Sequence, residues 1–144
     1  MQFVDTGLAT VLKVKKYQEK KAHEELIHLL RSKDVEQAAL SDLNDRRENA
    51  MTEAVRVSKS RALELQTSRA FLKTLSTEIR QKEKKVNEIQ LQENDKRSEL
   101  VERTQAKQMV ENLDQRRQAE FMREADRKEQ RLIDVLAQRV TREI

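Results

Sequence analysis

The residues of this chain that could bind a metal or move a proton are few, and their spacing suits neither task. The two histidines, His23 and His28, are five positions apart, which on a helix turns them about 140° away from each other. Glu19 and His23 stand four apart, a spacing at which one helical face can offer two metal ligands, but any solvated helix surface carries the same spacing. The absence of cysteine excludes thiol catalysis and disulfides. A phosphate-cradling loop needs several glycines before a lysine, and this chain holds one glycine, Gly7. With no nucleophile–base set and no ligand cluster, the sequence reads as non-enzymatic, without cofactor, metal or small-molecule substrate.

What remains is shape. After Gly7 there is no further glycine, and the chain has no proline, so the residues that usually end helices are missing. Charged residues make up 39% and aromatics only 3%, too few large rings for a thick globular core but enough apolar side chains for a narrow seam between helices. High charge with low hydrophobicity is also a signature of disorder. Against that, the lysines, arginines and glutamates are mixed in sign and favour helix, and the apolar residues are periodic. One domain over 1–144 is expected.

Steps of four and three pick out a first seam at Leu8, Leu12, Lys15, Glu19, Ala22, Leu26, Leu29, Lys33, Glu36, Leu40, Leu43, Arg47, Ala50, Ala54 and Val57. A second runs Leu65, Ser68, Leu72, Leu75, Ile79, Lys82, Val86, Ile89, Glu93, Lys96, Leu100, Arg103, Lys107 and Val110. Beyond it the seam drifts, with Leu113, Phe121, Ala125, Leu132 and Leu136 as its expected continuation. Polar blocks at 15–19, 33–36, 93–96 and 103–107 point to a seam that is loose there or opens toward a partner.

The seam slips by one residue between Val57 and Leu65, which fits a chain reversal or a stutter in one continuous coiled coil. The β-branched residues and serines of 55–60 lower helix propensity, and Ser60 can cap a second helix. The stretch 41–45 is a weaker site for a turn. The expected fold is all-α: a long antiparallel two-helix coiled-coil hairpin, helix 1 about 8–57, turn about 58–60, helix 2 about 61–142. The alternative is an unbroken rod paired in a homodimer. In the hairpin, the start of helix 1 lies beside the middle of helix 2, and about the last thirty residues project.

The net charge of +4 divides evenly between residues 1–31 and 115–144, each +2, with the middle neutral. That is too dilute, and too poor in aromatics, for a nucleic-acid binder. No run of about eighteen apolar residues occurs, and no secretory signal is visible, so a cytosolic location is expected.

The two ends carry a more specific pattern. The first reads Phe3-x₄-Leu8-x₂-Val11-Leu12, then Lys16, Glu19, Ala22 and Leu26; the last reads Glu129 through Asp134 to Arg139. With the length and the paired seams, this resembles the FliJ family of bacterial flagellar export proteins, whose counterparts in virulence-type secretion systems are YscO-like stalk proteins. The family commonly has Glu after the aspartate of its closing stretch, and here that place holds Val135.

The resemblance implies a cytoplasmic coiled-coil stalk at the inner-membrane export apparatus. It implies binding to the export ATPase hexamer, promotion of its assembly and activity, and contact with the cytosolic domain of the export gate and with export chaperones. On this chain the ATPase-binding residues would be Leu8, Val11, Leu12, Lys13, Lys16, Arg131, Leu132, Leu136 and Arg139, an apolar tip with basic flanks suited to a ring lined with acidic groups. A gate-binding patch would be Phe71, Leu72, Leu75 and Glu78, with Phe71 beside the seam rather than on it. The alternatives are a YscO-like injectisome stalk and a homodimeric coiled coil without an export role.

Overall fold

The computed structural model describes residues 7–57 and 62–143. These form two helices, α1 (Ala9–Val57, 49 residues) and α2 (Ala62–Glu143, 82 residues), within a residue of the expected bounds. The turn expected at 58–60 lies outside the described residues. At the other end of α1 the backbone amide of Leu12 donates to the carbonyl of Leu8 at 2.8 Å, which carries the helical ladder back to Leu8. Gly7 then leaves the helix at a φ of 76°, in the left-handed region that residues with a Cβ rarely adopt.

Contacts divide the chain into two compact units, Ala22–Glu99 and Met1–Lys21 with Leu100–Ile144. In the first unit the helices run antiparallel, because partners step forward along α1 as they step back along α2. Glu25 pairs with Lys96, Lys33 with Glu93 at 2.9 Å and Glu36 with Lys82 at 2.8 Å. The buried apolar residues are Ala22, Leu26, Leu75, Ile79 and Ile89, all on the two expected seams. Each large one gains about 1.5–3 kcal/mol from leaving water. Two helices cannot enclose a side chain completely, so even Ile79 keeps 3% of its surface exposed.

In the second unit, Gln18 accepts from Arg103 at 3.1 Å and Glu19 accepts from Lys107 at 3.0 Å. Past Val110 the half-buried residues are Glu111, Asp114 and Gln118, not the expected Leu113, which is 42% exposed. Asp114 and Gln118 follow Val110 at steps of four, and the half-buried face shifts that way rather than through Leu113. From Ala119 to Glu143 every residue of α2 is exposed.

The polar blocks do not loosen the seam as expected. Lys33, Glu36, Glu93, Lys96, Glu19 and Lys107 close on one another across the helix pair. These opposite charges pair across the seam instead of leaving it open.

Candidate functional site

The site residues expected from the sequence fall in three places. Leu8 and Leu12 are half-buried at the start of α1, while Val11, Lys13 and Lys16 are exposed beside them. The Gln18–Arg103 and Glu19–Lys107 contacts set this start against the part of α2 that ends near Gln118. Arg131, Leu132, Leu136 and Arg139 lie farther on, with Leu132 roughly 20 Å beyond Gln118 at 1.5 Å per residue. The structure therefore does not gather Leu8, Val11, Leu12, Leu132 and Leu136 into one tip. The surplus length of α2 over α1 separates them.

The far segment of α2 has its own surface. Phe121, Ala125, Leu132, Leu136 and Val140 recur at steps of four and seven on one helical face, in phase with the half-buried residues Asp114 and Gln118. Met122 and Ile133 widen the face, Lys128 and Arg131 border it, and Arg139, seven residues after Leu132, lies on it. Leu132 is 63% exposed and Leu136 53%. Met122, Ile133 and Val140 were missing from the sequence-based set, although Ile133 and Val140 stand seven apart and flank Leu132 and Leu136. The side-chain amide of Gln130 donates to Asp134 at 3.1 Å on the opposite, polar face.

The third place is in the unit Ala22–Glu99. Phe71 is 53% exposed on α2, whereas Leu72 is half-buried and Leu75 is buried in the seam. Leu75 thus supports the patch from beneath, and its surface consists of Phe71 and Glu78. Glu78, with Asp42 and Leu43 of α1, lines a groove of about 390 Å³.

The ion pairs set the electrostatics. Glu36 takes hydrogen bonds from Lys82 and Lys85, which hold its carboxyl below the usual carboxylate range. Lys33 and Arg97 do the same for Glu93, and Glu25 and Glu99 raise the ammonium of Lys96. Glu19, which has metal-ligand spacing to His23, is engaged by Lys107, and His23 is exposed. Lys107 donates to Oε1 of Glu19; Oε2 is also 3.0 Å away but accepts no hydrogen bond. Among the described residues no three His, Cys, Asp or Glu side chains converge as a metal site. No helix is long and apolar enough to cross a membrane among those residues.

The described residues form two long helices, and in the unit Ala22–Glu99 they pair antiparallel as a coiled coil. The chain belongs to the family described as flagellar FliJ protein, whose model matches residues 5–143. No curated protein matches the chain, and no solved structure does. Membership makes it a flagellar export-related stalk protein of a non-enzymatic family working in type III export.

Proposed function

We propose that this chain is the non-catalytic coupling stalk of the flagellar export apparatus, docking on the export ATPase ring by the unpaired end of α2. The observation that carries the reading is the run Ala119–Glu143, exposed on all sides yet bearing an apolar face with a basic border. A helix with that much uncovered apolar surface favours a protein partner over water. Arg131, Arg139 and Lys128 favour one with acidic groups beside its apolar surface. Leu8, Val11, Leu12, Lys13 and Lys16 form a second, separate contact on the same ring. Phe71 and Glu78 make the contact with the cytosolic domain of the export gate, and export chaperones are a further class of partner. The protein works in the cytoplasm, at the inner-membrane export apparatus, and reaches the membrane only through its partners.

Protection from hydrogen–deuterium exchange on adding the matching ATPase tests the reading. Protection concentrated in 119–143 supports it, and no change with either the ATPase or the gate domain overturns it. The same exposed face also suits a second copy of the chain, so the mass in solution is the companion measurement: a monomer leaves the face free for the ring.

A further inference from the structure

A strict seven-residue repeat specifies that two seams face each other, but not which heptad faces which. Sliding one helix by seven residues puts apolar residues back on apolar residues at most seam positions. In the unit Ala22–Glu99, leucines at 26, 29, 40 and 43 and apolar residues at 72, 75, 79, 86 and 89 leave that ambiguity open. The charged seam positions remove it. Glu36 meets Lys82 at 2.8 Å and Lys85 at 3.0 Å, and Lys33 meets Glu93 at 2.9 Å. Moving α2 by one heptad brings Ile89 and Gln92 to Glu36 in one direction. In the other it brings Leu75 and Glu78 to Glu36, and Val86 to Lys33. Either slip leaves a seam charge against an apolar or like-charged neighbour, in a place where side-chain exposure is 12% for Glu36 and 6% for Glu93. An uncompensated charge held that far from water is strongly unfavourable.

We infer that Lys33, Glu36 and Glu93, with Lys82, Lys85 and Arg97, form a register lock that holds α1 and α2 in one heptad alignment and prevents sliding of one helix along the other. Seam burial alone is indifferent to that slip, and these residues supply the difference. Movement applied to one helix of this unit is then passed to its neighbour instead of being lost in slippage.

The chain has no native cysteine, so spin labels at Ser41→Cys and Asp95→Cys, both exposed and offset along the helix axis, report the alignment alone. The parent gives one separation. The triple variant Lys33→Leu, Glu36→Leu, Glu93→Leu keeps an apolar seam but loses the lock, and adds a second separation displaced by up to about 10 Å, seven residues of helical rise. Glu36→Gln with Glu93→Gln, which keeps side-chain shape without charge, gives the same second population at lower weight. The swap Lys33→Glu with Glu93→Lys keeps one separation. A single separation in both lock-free variants, or two in the parent, overturns the inference.

Discussion

Lys33 of α1 donates a hydrogen bond to Glu93 of α2 at 2.9 Å across sixty positions of sequence. Both residues occupy seam positions where an uninterrupted coiled coil would place leucine. The pair joins the helices at a defined level, and Arg97 donates to the other oxygen of Glu93 at 3.0 Å, so both carboxylate oxygens are used. Replacing Glu93 by alanine leaves Lys33 facing the seam without its partner and lowers the melting temperature. Replacing Lys33 and Glu93 together by leucine restores or raises it, because the desolvation of both charges disappears with them. Circular dichroism melts at 222 nm of the three proteins check this.

Stability responds to pH at both extremes. Glu36, facing Lys82 and Lys85, and Glu93, facing Lys33 and Arg97, have folded pKa values below the ordinary carboxylate value of 4.5. Groups depressed in this way contribute stability that is complete above the ordinary value and is lost as pH falls through the lower folded ones. Lys96, facing Glu25 and Glu99, is raised above 10.5, so its contribution is complete below that value and is lost as pH rises through the folded one. Melting temperature is therefore flat between roughly pH 6 and 9 and falls on either side. In Glu36→Gln with Glu93→Gln the acid limb flattens while the alkaline limb stays.

Core and docking residues separate cleanly by their exposure. Ile79 is 3% exposed, and Ile79→Ala costs about 2–4 kcal/mol through lost burial and a partly collapsed cavity. Leu132 is 63% exposed, and Leu132→Ala changes stability by less than about 0.5 kcal/mol. Urea unfolding of both variants gives the contrast directly.

Phe71→Ala leaves the fold intact because the ring is half in water, whereas Leu75→Ala destabilises it because Leu75 is buried beneath. Loss of binding to the export gate's cytosolic domain in Phe71→Ala, with an unchanged melt, separates surface from support. Isothermal titration reads the binding.

The helices were legible because periodicity is a local property. Every described position of both seams, from Leu8 to Ala54 and from Leu65 to Val110, is half-buried or buried, including the charged ones. What periodicity cannot supply is the partner of each seam position. That depends on where the chain reverses and on the heptad alignment that follows, so the polar blocks read as gaps until Lys33 met Glu93 and Glu19 met Lys107. The same blindness joined Leu8 and Leu12 to Leu132 and Leu136 in one tip. Residue type marked both groups as apolar with basic neighbours, although the unequal helix lengths, already legible in the sequence, leave the second group beyond the start of α1. Leu75, read from the sequence both on the second seam and in the candidate patch, is buried in the seam.

The most direct measurement is the affinity of the matching export ATPase for this protein and for Leu132→Asp with Leu136→Asp, set beside the melting temperature of each. The account predicts that the parent binds, and that the charged pair of substitutions weakens binding at least tenfold while the melt stays unchanged, since neither leucine is in the seam. Equal affinity of the two proteins, or no binding by the parent, would contradict it.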